Sequence, residues 1–123
     1  MNVLLIALGG SIGAVARYGL AGVVQRFTTP YFPFGTFVVN IAGCFVFGVL
    51  AGVAEHRFAL GSEARAFLLI GVLGGFTTFS TFSYETFQLL RDAEIMRAAL
   101  NVVGQVGVGL FAMWLGFVMM RLR

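Results

Sequence analysis

The sequence predicts an all-α integral membrane protein with four transmembrane helices. Composition is the first reason. Of 123 residues, 59% are hydrophobic and only 11% are charged, whereas soluble domains carry about 25% charged residues. The second reason is size: a soluble core this small would leave many of the phenylalanines and leucines in water. The third is pattern, because the apolar residues gather into four segments of roughly the 20 residues that cross a bilayer. One transmembrane domain, 1–123, is expected, with no room for a second.

The first span is expected from about Val3 to Val24 (3–24). No basic segment precedes it and it is as long as a membrane span, so it reads as a helix and not as a cleaved signal peptide. Gln25 to Pro33 forms a short connection containing Pro30 and Pro33. The second span runs from about Phe34 to Ala54 (34–54). Glu55 to Arg65 carries most of the mid-chain charge and reads as a loop. The third span covers about Ala66 to Leu90 (66–90), Arg91 to Arg97 a tight charged turn, and the fourth span about Ala98 to Met120 (98–120). Pairs such as Gly9/Gly13 and Gly48/Gly52 place small residues four apart, which lets helices approach closely in lipid. Tight neighbours, and an oligomer, are expected.

All eight basic residues are arginines, scattered singly, and the net charge is +3. That pattern has no basic stripe and therefore no nucleic-acid footprint. With four spans, Arg57, Arg65, Arg121 and Arg123 fall on one side and Arg26, Arg91 and Arg97 on the other. So even a distribution gives almost no positive-inside signal. Insertion in both orientations, with two opposed copies pairing about an axis in the membrane plane, is one reading. An orientation signal not visible in the charges is the other. Cys44 cannot form an internal disulfide and reads as a small buried hydrophobe. His56, between Glu55 and Arg57, reads as a solvated loop residue.

The third span holds the most informative segment, Gly74-Gly75-Phe76-Thr77-Thr78-Phe79-Ser80-Thr81-Phe82-Ser83-Tyr84-Glu85. Paired glycines before two β-branched threonines make a poor helix interior, so the third helix is expected to break near mid-membrane. Freed carbonyls there can hold a small cation, and the restarting helix favours an anion. On physics alone a plain kink filled by neighbouring side chains is the favoured reading over an ion site. From a restart near Phe79, Phe79 and Phe82 share a face at i, i+3, with Thr77/Thr81 and Ser80/Ser83 as hydroxyl rows beside them. Positive ring edges and hydroxyl donors can together replace the hydration of a small anion.

Other polar residues lie at membrane depth. Asn40 either bonds a neighbouring helix or offers its NH₂ to an anion. Asn101 and Gln105, at i, i+4, can extend a polar track along the fourth helix, or Asn101 can lie at the interface. Arg17 and Glu85 are intramembrane or near-interface charges, which mark functional sites by default; Arg17 suits an anion vestibule. No metal-ligand cluster, nucleophile triad or phosphate loop occurs, so enzyme chemistry has nothing to stand on.

Three motifs resemble the Fluc (CrcB) family of fluoride channels. They are Gly13-Ala14-Val15-Ala16-Arg17-Tyr18, then Gly35-Thr36-Phe37-Val38-Val39-Asn40 with Gly43, and the Gly74–Glu85 segment. The resemblance extends over the whole chain, and the third motif is the specific one. It implies a fluoride-selective passive channel of the cell (inner or plasma) membrane, built as an inverted antiparallel homodimer with two pores. It implies a structural sodium ion, not transported, on the carbonyls of Gly74 and Thr77. On the same basis the fluoride pathway falls on Asn40, Phe79, Ser80, Thr81, Phe82 and Glu85, the vestibule on Arg17, and the polar track on Asn101 and Gln105. Relatives use hydroxyls in that track, where this chain has amides. A small four-span proton-coupled multidrug transporter is the alternative, but it needs a carboxylate where the first span has Arg17. A non-transporting scaffold subunit explains the glycines and not the hydroxyl-rich segment.

Overall fold

A computed structural model describes residues 2–56 and 60–122. The described residues form helices joined by turns and short irregular segments, with no strand. Helix α1 spans Asn2–Arg26 and α2 spans Phe34–His56. A third rod starts as α3, Ser62–Arg65, continues as a π-helical stretch, Ala66–Leu73, and ends as α4, Gly74–Phe76. Thr77 and Thr78 are extended, and α5 follows over Phe79–Arg91. Helix α6 spans Ile95–Arg121. Four helical segments are long and apolar enough to cross a membrane, counting Ser62–Arg91 as one.

The helices run past the apolar segments that announce them. Helix α2 continues through Glu55 and His56, α5 ends on Arg91, and α6 begins at Ile95. Hydropathy marks the lipid boundary, but backbone hydrogen bonding carries a helix on into polar residues. The loop reading of His56 is thereby corrected for its backbone. Its side chain and Arg57, like Arg123, lie outside the described residues. The π-helical stretch has no mark in the sequence, because its residues are as apolar as those of an ordinary span.

Small residues set the packing. A Cβ on Gly9 would stand 2.5 Å from the Phe67 carbonyl oxygen, and one on Gly13 would strike the Val72 carbonyl and lie 2.8 Å from the Phe76 nitrogen. Helix α1 therefore rests directly on the backbone of the π-helical stretch and α4. On the other side, α2 lies along α6: Gly48 abuts the Met113 backbone, Gly52 that of Phe117, and Gly116 that of Phe45. Backbone-to-backbone approach of this kind is what holds helices together in lipid. The Gly9/Gly13 and Gly48/Gly52 pairs pack as their spacing predicts. The segment around Thr77 lies between these two helix pairs.

The connections are closed by specific bonds. Gln25 donates from Nε2 to the carbonyls of Thr29 (2.8 Å) and Phe32 (3.0 Å), while its Oε1 accepts from the Gly35 amide at 3.0 Å. One side chain thus folds the Pro-containing loop and satisfies an orphan amide at the start of α2. Helix α5 ends with Ala93 in the left-handed region at φ 60°. The Glu94 amide bonds back to the Leu89 carbonyl and the Ala93 amide to the Leu90 carbonyl. This is the Schellman arrangement, in which the left-handed position favours glycine. Ala93→Gly is expected to stabilise the protein by about 1 kcal/mol, read as a higher unfolding midpoint in detergent.

Candidate functional site

The site is built around two residues that leave the helix. Thr77 lies at φ −87°, ψ 157° and Thr78 at φ −151°, ψ 117°. Buried backbone groups must find partners, and several here find them outside the helix. The Thr77 amide bonds to the Leu73 carbonyl at 3.0 Å, and the Thr77 hydroxyl donates to the same oxygen at 2.9 Å. The Thr78 amide, which a continuous helix would send to Gly74, donates instead to Asn40 Oδ1 at 2.9 Å. Asn40 Nδ2 donates back to the Thr78 carbonyl at 3.1 Å. Arg17 Nε donates to the Gly75 carbonyl at 3.2 Å. Helix α1 and helix α2 thus each hold one side of the extended pair.

Thr78 also starts α5. Its Oγ1 accepts from the Thr81 amide at 3.2 Å and donates to Thr81 Oγ1 at 3.0 Å. A threonine before a restarting helix is a standard N-cap. The hydroxyl row is therefore Thr78/Thr81, and the Thr77/Thr81 pairing is corrected: Thr77 belongs to the preceding rod and bonds backwards. An N-cap argument applied to Thr78-Phe79 was the signal that could have found this.

From Asn40 a line of amides crosses to α6 and returns to α5. Asn40 Nδ2 donates to Gln105 Oε1 at 2.8 Å, and Gln105 Nε2 donates to Asn101 Oδ1 at 2.9 Å. Asn101 Nδ2 donates to Thr86 Oγ1 at 2.9 Å, and the Thr86 hydroxyl donates to the Phe82 carbonyl at 2.8 Å. Asn101 is fully buried among its helix neighbours. Thr86 and Gln25 were not legible as site residues. Neither has a spacing that marks it, and each acquires partners only through tertiary packing.

The expected residues divide between two cavities that meet at Thr78. One, of about 350 Å³, brings together Asn40, Gly74, Thr77, Phe79, Phe82 and Gln105. Its walls are mostly apolar, and the Phe79 and Phe82 rings lie 5.7 Å apart at an interplanar angle of 50°. The other, of about 280 Å³, brings Arg17 to Thr36, Thr81 and Glu85. Glu85 lies within α5 and not at its end, and its Oε1 is buried with no hydrogen-bond partner among the described residues. Ser80 is exposed and borders neither cavity; its hydroxyl is 3.4 Å from that of Thr78. Asn101 lies behind the first cavity as support for Gln105.

A cavity whose donors are amides and hydroxyls and whose walls are aromatic suits a small anion. The family model described as "CrcB-like protein, Camphor Resistance (CrcB)" matches residues 4–117. The chain belongs to the CrcB family. A relative in Nitratidesulfovibrio vulgaris (strain DSM 19637 / Miyazaki F) is 46% identical across 94% of this chain and 93% of its own length. One in Desulforapulum autotrophicum is 48% identical across 95% and 94%, and one in Geobacter sulfurreducens is 47% identical across 98% and 97%. Each is named "Fluoride-specific ion channel FluC". With four membrane-crossing segments, this CrcB member is a multi-pass membrane protein.

Asn40→Asp places an oxygen where Nδ2 now donates to two carbonyl-type oxygens. Unfolding in a graded detergent series is expected to show a loss of about 2 kcal/mol or more, the cost of stranding buried acceptors.

Proposed function

We propose that this chain is a fluoride-selective passive ion channel that exports fluoride and lowers its cytoplasmic concentration. The observation that carries the reading is near-full-length similarity, at 46–48% identity, to proteins named fluoride-specific channels. The physical logic is short. Hydrogen fluoride is a weak acid that enters as the neutral form and dissociates inside. An inside-negative membrane potential then drives the anion outward, by about 2.3 kcal/mol per 100 mV. No energy coupling and no catalytic chemistry are needed, and the chain is not an enzyme on this reading.

The fluoride pathway in this proposal comprises Asn40, Phe79, Ser80, Thr81, Phe82 and Glu85, with Arg17 at the vestibule and Asn101 and Gln105 as a polar track. Supporting it, Asn40, Phe79, Phe82 and Gln105 border one cavity and Arg17, Thr81 and Glu85 the next. Weak donors and ring edges bind an ion firmly enough to admit it and loosely enough to release it. A narrow path lined this way selects fluoride over the larger chloride.

The proposal includes the break near mid-membrane, a structural sodium ion there, and an antiparallel homodimer inserted in both orientations in the inner or plasma membrane. The residues fit a sodium ion. The Thr78 amide goes to Asn40 and the Thr81 amide to Thr78 Oγ1, so the carbonyls of Gly74 and Thr77 lose their helical donors. Neutral carbonyl oxygens suit a hard cation. When bound, the ion supplies a fixed positive charge at the unwound backbone. Pairing of two copies is supported by the even arginine distribution and by exposed groups on the single chain, where Gly74 is exposed and Phe79 is 78% exposed.

Fluoride efflux from liposomes holding the purified protein tests the reading. Wild type is expected to pass fluoride and not chloride. Phe79→Ile and Phe82→Ile are each expected to slow fluoride about tenfold, the factor of one good aromatic contact. Comparable chloride and fluoride flux sinks the proposal. Proton-coupled efflux of an organic cation favours the multidrug transporter instead.

A further inference from the structure

The amide line from Asn40 to Thr86 has a direction, and one backbone group sets it. Thr78 presents an N–H and a C=O to Asn40, so Asn40 must turn its oxygen to the first and its NH₂ to the second. Its remaining N–H points at Gln105, which must answer with Oε1. Gln105 then donates to Asn101, Asn101 donates to Thr86, and the Thr86 hydroxyl donates to the Phe82 carbonyl. Asn40 has two N–H bonds and both are occupied. No donor of Asn40 is free for an anion while Gln105 keeps its oxygen there.

Both middle members are carboxamides, which exchange oxygen and NH₂ by a half-turn without changing shape. Thr86 ends the line with a hydroxyl that can rotate. Reversal of all three keeps the links among them: Asn101 then donates to Gln105 Oε1 and Thr86 donates to Asn101 Oδ1, and Thr86 gives up its bond to the Phe82 carbonyl. What changes is the cavity end. Gln105 turns an N–H where its oxygen stood, and Asn40 recovers an N–H beside it. The Thr78 pair holds Asn40 itself in place throughout, because its two bonds brace each other.

We propose that the Gln105–Asn101–Thr86 line reverses when an anion enters, so that Asn40 and Gln105 both donate to it. In the resting chain Gln105 Oε1 takes the Asn40 N–H that an entering anion would take. The inference rests on the fluoride-channel reading and deepens it. Gln105 becomes an anion-contacting residue, and Asn101 and Thr86 become positioning residues that act through it. The chemistry suits amides at these two positions: a side chain carrying an acceptor and a donor on one rotor can answer Asn40 in the resting chain and donate to the ion when it enters.

Two measurements test this on the full chain in lipid. The first is dipolar recoupling between ¹⁹F-fluoride and side-chain ¹⁵N of protein labelled at glutamine. A fluoride–glutamine contact is expected in wild type and is expected to vanish in Gln105→Leu. The second is the fluoride concentration that half-saturates flux. Asn101→Asp keeps an acceptor for Gln105 Nε2 but cannot donate to its Oε1, so it holds Gln105 in the resting direction while Thr86 turns its hydroxyl to the carboxylate. It is expected to raise that concentration about tenfold, and isosteric Asn101→Leu, which frees Gln105 to turn but removes its support, is expected to raise it by a smaller factor. The reverse order, with Leu the impaired variant and Asp like wild type, means a static strut and overturns the proposal. So does fluoride conduction without any glutamine contact. If both Asn101 variants fail to fold, the recoupling result on wild type decides. Absence of wild-type fluoride flux instead defeats the channel reading on which the inference stands.

Discussion

The paired hydrogen bonds between Asn40 and the backbone of Thr78 are the constraint on which the site depends. Two extended residues inside a membrane-crossing segment leave donors and acceptors that lipid cannot satisfy, and each stranded group costs several kcal/mol. Asn40 satisfies one of each with a single planar group. Arg17 takes the Gly75 carbonyl from the opposite side. The interruption is therefore a defined geometry held from both neighbouring helices.

Everything near the interruption follows from how those bonds are distributed. With its amide and carbonyl committed to Asn40, Thr78 has its hydroxyl left to cap α5. The cap starts α5 at Phe79, and the restart decides that the Phe79 and Phe82 rings lie together and that Thr81 and Glu85 fall on the Arg17 side. The same arrangement withdraws helical donors from the Gly74 and Thr77 carbonyls. The carbonyls proposed for a cation and the groups proposed for an anion thus share one local choice of backbone partners. Electrostatically they support each other, since a cation at the freed carbonyls and the amide end of α5 both favour a nearby anion.

Such a site needs rigid surroundings, and the glycines provide them. Helix α1 sits on the backbone of the preceding rod through Gly9 and Gly13, and α2 meets α6 through Gly48, Gly52 and Gly116. In lipid the hydrophobic effect does not press helices together, so close backbone contact and internal hydrogen bonds must do so. The amide line from α2 through α6 to α5 adds polar links at the same depth. Close packing also explains why a short connection such as Phe27–Pro33 is pinned by three bonds from Gln25 and not left to the solvent.

By itself the sequence determined the all-helical membrane class and the number of spans, and it marked the small residues that pack and the stretch of poor helix formers. These properties are local or compositional: apolar length, small-residue spacing and the poor helix propensity of Gly74 to Thr78. It also named Asn40, Phe79, Phe82 and Gln105 at one cavity and Arg17, Thr81 and Glu85 at the other, chiefly through polar groups that have no place in a lipid-facing helix. Tertiary structure decided the rest. Whether Asn40 offers its amide to an anion or to a backbone depends on where Thr78 lies, 38 residues away. That Asn101 is buried completely and joins Gln105 to Thr86 depends on the packing of α6 against α5. Thr86 and Gln25 carry no sequence mark at all, and the π-helical turn looks like any apolar span. Hydrogen-bond partners across helices are chosen by rotation and depth of the helices. A linear pattern shows which groups need partners, and only the packed chain settles which partners they find.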